Sequence, residues 1–204
     1  MLSGTLRVHP AVNAESVLAL LLEANQLKRV QRTGWVMRGV ADAESVSDHS
    51  FGVAFIALVL AQYMDEPIDT VKLLTMALLH DLPEAVLSDI PSPACLCLSR
   101  DAKSAAEQAA LGHLLGEFPQ AEQWRDWWRE FDERSSLEGR LVRDADRLDM
   151  LLQAYVYEQT TGNRWLEEFW SESPSTPFAC SVSQSVYDAL CEARRLAMED
   201  GCAG

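Results

Sequence analysis

The sequence predicts an all-α fold, and two observations carry this prediction. Apolar residues recur every three or four positions along most of the 204-residue chain, which is the period of an amphipathic helix. No stretch alternates apolar and polar residues as a half-buried strand does, and the sequence has no internal repeat or low-complexity linker. With 48% hydrophobic residues, the chain can bury a sizeable core. We therefore expect a single domain over residues 1–204.

Capping and punctuating residues divide the N-terminal part of the chain. Asn13 can cap a first helix, whose apolar residues keep helical spacing as far as Leu27. Gly34 and Gly39 then punctuate a stretch, residues 33–40, that we expect to be non-helical.

The next two predicted helices are strongly apolar. The second begins at Ser45 or Ser47 and is apolar nearly all round, which predicts a buried central helix. Asp69 or Thr70 caps the third, which ends at His80.

The C-terminal half is also predicted to be helical. The expected bounds are 99–118, 120–134, 136–161, a short segment at 165–170, and 183–200. One stripe of the 120–134 helix is aromatic: Trp124, Trp127, Trp128 and Phe131. This stripe is more apolar surface than a small helical domain easily hides, so we expect core packing and self-association.

Charge and cysteine content narrow the possible functions. The formal net charge is −14 and the pI is about 4.6, which argues against a broad nucleic-acid groove but leaves room for a small phosphorylated ligand. No run reaches about eighteen apolar residues, and Met1–Pro10 lacks the apolar region of a secretory signal. The five cysteines form no CxxC pair, so reduced thiols in a cytoplasmic protein are expected.

Polar residues cluster where the third helix ends. His80 and Asp81 stand side by side after a long apolar run, and a buried charge is costly unless it is paired or bound to a metal. Glu84 lies one turn beyond His80 on the same helical face, and Asp89 follows just before a Pro-rich break. Further ligands must come from other elements.

Two other predicted helices offer such ligands. His49 lies at the start of the buried second helix. The 136–161 helix carries Asp144, Asp146 and Asp149, and their spacing alone does not choose among them.

Together these residues resemble the H…HD…D signature of the HD-domain metal-dependent phosphohydrolases. The likeness narrows to the YfbR-like 5′-deoxynucleotidase group, which includes the eukaryotic HD-domain nucleotidases. It rests on the segments 27–35, 44–50 and 80–91. The resemblance covers about residues 14–160 and implies an HD-domain helical bundle, with additional C-terminal helices over about residues 163–204.

The resemblance also implies roles for individual residues. One divalent metal ion per chain, a transition metal such as Co, Mn, Zn, Fe or Ni, or else Mg, would be held by His49, His80, Asp81 and Asp146. Catalytic roles fall to Glu84, Arg32 and Asp89, with Arg32 orienting the phosphate and either carboxylate acting as the acid. Substrate contacts are expected from Arg32, Trp35, Asp89, Ile90, Pro91 and Ser92.

The activity implied by the resemblance is release of phosphate from (deoxy)nucleoside 5′-monophosphates. Two alternatives stay open: release of triphosphate from (deoxy)nucleoside triphosphates at the same site, and a helical metal-binding module without catalysis. The expected partners are a nucleotide and further copies of the chain, in a homodimer or a higher closed oligomer. Neither nucleic acid nor a membrane is expected.

Overall fold

The computed structural model describes residues 13–116, 118–172 and 177–201. These residues form ten α-helices: α1 (Ala14–Ala24), α2 (Thr33–Val36), α3 (Val46–Leu60), α4 (Thr70–Leu79), α5 (Glu84–Leu87), α6 (Arg100–Leu115), α7 (Ala121–Glu133), α8 (Leu137–Thr161), α9 (Glu167–Glu172) and α10 (Ser181–Gly201). Short 3-10 turns lie at Asn25–Lys28, Ala61–Tyr63, Ser92–Leu96 and Arg164–Leu166. The described part contains no strand, only an isolated bridge between Gln31 and Ser45, so the all-α prediction is confirmed.

Side-chain caps set the helix starts much as the sequence predicts. Ser45 caps α3 in a capping box with Asp48, in which each side chain satisfies a backbone N–H of the other residue. The residues that cap other helices in the predicted positions are Asn13, Asp69, Ser99 and Ser136. One prediction is wrong, because residues 33–36 form the short helix α2 within the stretch expected to be non-helical.

Helices α3, α4 and α8 meet at the centre of the fold. The 25-residue helix α8 packs along α3 and α4, and α7 and α10 pack against it. The interface holds fully buried apolar side chains such as Val53, Met76 and Leu148. A second apolar cluster lies beneath α6 and α7. The polar residues of interest are thus carried on elements held rigid by the core.

Helix α3 is buried on one face only, which corrects the expectation of a helix buried all round. Phe51 is 72% exposed and Phe55 is 58% exposed, and their rings stack 6.3 Å apart. By length and composition alone, the segment Val46–Tyr63 is long and apolar enough to cross a membrane, as core helices of globular proteins can also be. Its inner face nevertheless contacts α4 and α8 and carries the buried His49.

The aromatic stripe of α7 is used within the chain. Trp128 and Phe131 are only 2% and 3% exposed, and Trp124 and Trp127 are half-buried against the two apolar clusters. The expectation that this stripe drives self-association is therefore wrong. The prediction for Met1–Pro10 falls outside the described residues.

Candidate metal centre

Three helices bring four of the predicted site residues to one buried point. His49 faces inward from α3, His80 and Asp81 follow the end of α4, and Asp146 projects from α8. Both histidines are buried, at 0% and 4% exposed. The contacts among α3, α4 and α8 therefore build the cluster from residues separated by up to about 100 positions.

The ligand-type atoms lie close together. His49 Nε2 is 3.2 Å from Asp146 Oδ1 and 3.6 Å from Asp81 Oδ2. His80 Nε2 is 3.2 Å from Asp81 Oδ2 and 3.3 Å from His49 Nε2. Atoms of His49, His80 and Asp81 all lie within 4.8 Å of one another, close enough to share one ion.

The outer nitrogen of each imidazole fixes the tautomer of its ring. His49 Nδ1 lies 2.7 Å from Asp149 Oδ2, and His80 Nδ1 lies 2.7 Å from the carbonyl oxygen of Ala77. Since both oxygens accept, each neutral ring donates from Nδ1 and keeps its lone pair on Nε2. Two such lone pairs and two carboxylates repel one another unless a cation lies among them. The donor set therefore fits a divalent metal ion.

Electrostatics keep the carboxylates ionised. Against the effect of burial, the neighbouring His80 holds the pKa of Asp81 well below its usual range. The hydrogen bond with His49 lowers the pKa of Asp146 in the same way. Burial acts to lower the pKa of His49, but hydrogen bonds to Asp146 and Asp149 raise it to about 9. Without a metal, His49 therefore holds a second proton at neutral pH, and a bound cation would take the place of that proton between Nε2 and the two carboxylates.

A glycine makes room for the residue that orients His49. A methyl group at Gly52, one turn along α3 from His49, would collide with the carboxylate of Asp149. The absence of a side chain at this position lets α8 bring Asp149 to His49 Nδ1. The sequence analysis assigned no role to Asp149 or Gly52, although their i+3 spacings from Asp146 and His49 are visible in the sequence.

Arg32 places a positive charge at the edge of the cluster. Its Nη1 lies 3.1 Å from Asp81 Oδ2, at the start of α2. Against the effect of burial, four carboxylates raise the pKa of its guanidinium further: Asp81, Asp146, Asp89 and Glu84. The side chain is 17% exposed, so the charge is held in place and still reachable by a ligand.

Asp89 holds the segment that carries Arg32. Its carboxylate accepts a hydrogen bond from the backbone N–H of Thr33, and its carbonyl oxygen accepts one from Thr33 Oγ1 at 3.0 Å. The preceding residue, Ser88, has a φ of +63°, a conformation that is uncommon for a non-glycine residue. Asp89 therefore tethers the end of α5 to the start of α2, beside Arg32.

Glu84 lies beside the cluster without a partner of its own. It is 6% exposed, and Oε2 has no hydrogen-bond partner within the part of the chain that the structure describes. Burial, followed by the charges of Asp81 and Asp89, raises the pKa of Glu84 to about 9. Glu84 is therefore a carboxyl group that can hold a proton at neutral pH.

With this geometry established, comparison with known families is informative. Residues 24–177 match the HD domain family. The chain belongs to the HD domain family. This match extends beyond residue 160, where the recognisable sequence motifs end, and includes α9.

Two kinds of HD-domain relatives illustrate the likeness. The Danio rerio protein named 5′-deoxynucleotidase HDDC2 is 35% identical over 159 residues, which cover 76% of this chain and 77% of the relative. A crystal structure of a Pyrococcus horikoshii protein is 40% identical, with a TM-score of 0.71, and the match covers 88% of this chain and 99% of that one.

A more distant structure shares the fold. A Magnetospirillum magnetotacticum protein described as a predicted metal-dependent phosphohydrolase has a TM-score of 0.69 at 23% identity, covering 89% of this chain and 94% of that one.

The HD fold places Trp35 differently from the sequence-based expectation. The indole is 1% exposed, and its Nε1 donates a 2.9 Å hydrogen bond to Glu44 Oε1. Its ring packs against Tyr157 and Phe169, with centroids 5.4 and 4.4 Å away. An indole without an exposed face cannot lie against a nucleotide, so this expectation is corrected to a core role.

The remaining predicted substrate contacts lie in the turn after α5. Ile90 and Pro91 are half-buried and Ser92 is exposed, at the start of the 3-10 turn that follows Asp89. They directly follow Asp89, whose hydrogen bonds to Thr33 hold the segment that carries Arg32.

A cleft beside the candidate metal centre contains basic residues that were not predicted from the sequence. This cavity of about 300 Å³ is lined by His80 and Asp81 on one side, and by Arg100 and Lys103 from α6. Lys103 pairs with Glu107 at 3.3 Å, and its charge also acts on Asp81 and Glu84. Only the long-range packing of α6 brings these cations to the centre, so no local motif reveals them.

Proposed function

We propose that this HD-domain chain is a metal-dependent phosphohydrolase that releases phosphate from (deoxy)nucleoside 5′-monophosphates. The observation that carries the proposal is the position of Arg32, whose guanidinium lies 3.1 Å from the candidate metal ligand Asp81. A fixed cation beside a metal site is repelled unless an anion bridges the two, and a phosphate does so. The curated relatives named 5′-deoxynucleotidase support the nucleotide assignment.

The proposed metal ligands are the four clustered residues: His49, His80, Asp81 and Asp146. Their mixed nitrogen and oxygen donors favour a transition metal such as Co, Mn, Zn, Fe or Ni over Mg. When bound, a divalent ion would polarise a phosphoryl oxygen and lower the pKa of a coordinated water.

Glu84 is the proposed proton donor. The structure gives it a buried, unpartnered oxygen and a raised pKa of about 9, so it reaches neutral pH with its proton. A 5′ oxygen that leaves a phosphoryl group needs a proton, and a carboxylic acid that keeps its proton near the operating pH can supply it. Asp89 is occupied by the backbone of Thr33, which favours a positioning role for Asp89 and assigns the proton to Glu84.

Arg32 and the cleft cations orient the phosphate. The planar guanidinium can donate two parallel hydrogen bonds to phosphate oxygens and stabilise charge that develops during transfer. Arg100 and Lys103 line the cleft that contains His80 and Asp81, and they add positive charge in an otherwise acidic protein. We propose that the turn at 90–92 contacts the nucleoside part of the substrate, because it adjoins the tether that fixes Arg32.

A nucleotide panel tests this function. Each (deoxy)nucleoside 5′-monophosphate and triphosphate is supplied with Co²⁺, Mn²⁺, Zn²⁺ or Mg²⁺, and released phosphate and triphosphate are separated and counted. The proposal expects phosphate from monophosphates with a transition metal. Triphosphate release would indicate the alternative substrate class, and no turnover with any metal would indicate a non-catalytic module.

We also infer that two copies of the chain associate through the outward face of α3. This face carries Phe51, Phe55 and Val59, at 72%, 58% and 42% exposed, and the helix has a single acidic residue, Asp48. An uncharged apolar face can pair with its own copy about a two-fold axis. Replacing Phe55 with Lys should shift the protein toward a 22.7 kDa monomer in sedimentation. A wild-type monomer at micromolar concentration would contradict the inference.

Cytoplasmic localisation and the absence of a nucleic-acid partner stay predictions. The free thiols of Cys97, Cys180 and Cys191 and the net charge of −14 support them.

A further inference from the structure

A second charged pocket lies beside the metal centre and has the opposite sign. This cavity of about 230 Å³ is lined by four arginines and one aspartate: Arg134, Arg140, Arg143, Arg147 and Asp144. Its lining is net positive, although the chain as a whole carries a charge of −14. Cations gathered in one concave site of an acidic protein are a feature that needs an explanation.

The arrangement on α8 opposes helix stability. Arg140, Arg143 and Arg147 lie at spacings of three and four residues, so like charges share one helical face. Arg134 adds a fourth charge from the end of α7, where it adopts a left-handed conformation with φ +56°.

Contacts with aromatic rings hold two of these arginines in position. The guanidinium of Arg143 lies 4.0 Å from the ring centre of Phe131, and that of Arg147 lies 4.4 Å from the ring centre of Phe178. Stacking on a ring fixes the plane of each of these two guanidinium groups. The pocket is thus preorganised by its own packing.

Carboxylates of the chain offset only part of this charge. Asp144 accepts hydrogen bonds from the backbone N–H groups of Ala179 and Cys180, at 3.1 and 2.9 Å, and Asp146 pairs with Arg143 at 3.1 Å. Arg134 has no ion-pair partner among residues 13–116, 118–172 and 177–201. Burial, followed by the charges of Arg143 and Arg100, lowers the pKa of Arg134, and the charges of Asp144 and Asp146 offset only part of this effect.

The pocket adjoins the catalytic cleft. Arg134 and Arg143 line both the arginine pocket and the 300 Å³ cleft that contains His80 and Asp81. An anion in the pocket would therefore lie beside the cleft that reaches His80 and Asp81, with the shared arginines between them.

We propose that the arginine pocket is a second phosphate-binding site, distinct from the position of the phosphate that is hydrolysed. Several guanidinium groups around a small concave volume match the oxygens of a tetrahedral phosphate. The phosphate belongs either to free inorganic phosphate or to a further phosphate group of a nucleotide. Binding in this pocket does not depend on the proposed hydrolysis, so either proposal can fail without the other.

Calorimetric titration with inorganic phosphate tests the site directly. The full-length, metal-loaded protein is used at about 0.15 M salt, where weak surface attraction is screened. Wild type should bind phosphate in two phases. Arg140→Gln combined with Arg147→Gln should weaken one phase roughly tenfold or more, as expected for lost charge-assisted hydrogen bonds. Arg32→Ala should weaken the other phase.

Arg195→Gln is the matched control. Arg195 is an exposed arginine on α10 that pairs with Glu192 and Glu199, so the change removes one charge away from the pocket. If the double variant unfolds, Arg134→Gln repeats the test at an exposed position. Titrations of the pocket variants that match Arg195→Gln and wild type would overturn the proposal.

Kinetics distinguish the two sources of the phosphate. If free phosphate occupies the pocket, the pocket variants should show altered inhibition by added phosphate, with little change in the KM for a monophosphate. If the pocket holds a further phosphate group of one nucleotide, the variants should raise the KM for a nucleoside triphosphate more than the KM for the monophosphate.

Discussion

Helix α8 carries two regions of opposite charge within about three turns. The metal centre takes Asp146 and Asp149 from one face, whereas the arginine pocket takes Arg140, Arg143 and Arg147 from another. In the metal centre, hydrogen bonds fix each imidazole and leave lone pairs directed inward. In the pocket, stacking on aromatic rings holds the guanidinium groups of Arg143 and Arg147 in place. The first region suits a cation and the second an anion.

The difference shows how one acidic chain can bind both a metal ion and a phosphate ester. A negative, buried cluster binds the metal, and the positive groups around it bind the anionic substrate. Arg143 links the two regions, since it pairs with Asp146 and also lines the pocket. If this account is right, variants of the two regions should separate metal content from phosphate binding.

The largest effect is expected when the cluster loses a carboxylate. Asp81→Ala removes a candidate ligand and the partner of Arg32, so bound metal and activity should both be lost. The loss of several kcal/mol of transition-state stabilisation corresponds to about 10⁴-fold or more in kcat/KM. Metal analysis and steady-state kinetics on the same preparations measure this. Arg140→Gln should keep the metal, and equal metal loss in both variants would break the comparison.

Glu84→Gln should separate proton transfer from metal binding. The variant keeps the shape of a residue whose Oε2 has no hydrogen-bond partner within the described chain, but it cannot donate an acidic proton. The expected fall in kcat is about 10²–10⁴-fold with metal content near wild type. Wild-type turnover in a metal-loaded Glu84→Gln protein would show that Glu84 is an ordinary buried carboxyl.

Gly52→Ala should affect the centre indirectly. The added methyl group displaces the Asp149 carboxylate from His49 Nδ1, and loss of such an outer partner lowers metal affinity by about 10–100-fold. Competition with a chelator of known affinity measures this change. Gly112→Ala on α6, where the added carbon makes only ordinary contact, is the control. Unchanged metal affinity would mean that Asp149 does not orient His49.

The smallest effect concerns stability and pH in metal-free protein. The folded pKa of Glu84 is raised from 4.5 to about 9, so the folded chain keeps a proton that the unfolded chain releases above about pH 4.5. Wild-type stability should therefore fall as the pH rises from 5 to 9, whereas Gln at this position does not titrate. The free energy of unfolding of Glu84→Gln should therefore exceed that of wild type by a margin that grows to about 1–3 kcal/mol by pH 8.5. Thermal unfolding at several pH values checks this, and a constant difference would contradict it.

The sequence predicts the metal centre better than its surroundings, for a physical reason. His49, His80 and Asp81 are chemically distinctive residues on apolar helices, so their types and spacing reveal them before the fold is known. The choice of Asp146 among three aspartates came from the family resemblance. In the structure, Asp144 accepts hydrogen bonds from the backbone just before α10, and Asp149 orients His49.

Local sequence patterns do not predict the features that depend on packing between distant parts of the chain. Trp35 looks like a loop residue near a site, yet α8 and α9 cover it in the core. Arg100 and Lys103 reach the cleft only because α6 packs beside the centre. The same reason explains two errors in expected exposure. The α7 stripe is covered and the outer face of α3 is exposed, because neighbouring helices decide which apolar face is buried.

A crystal structure of metal-loaded Glu84→Gln protein with a nucleoside 5′-monophosphate tests the central claim most directly. Diffraction data at the absorption edge of the metal locate the ion. The account predicts a single ion about 2.0–2.3 Å from His49, His80, Asp81 and Asp146, with the phosphate between the ion and Arg32. An ion held instead by Glu44 and Asp149, or a phosphate bound away from Arg32, would contradict it.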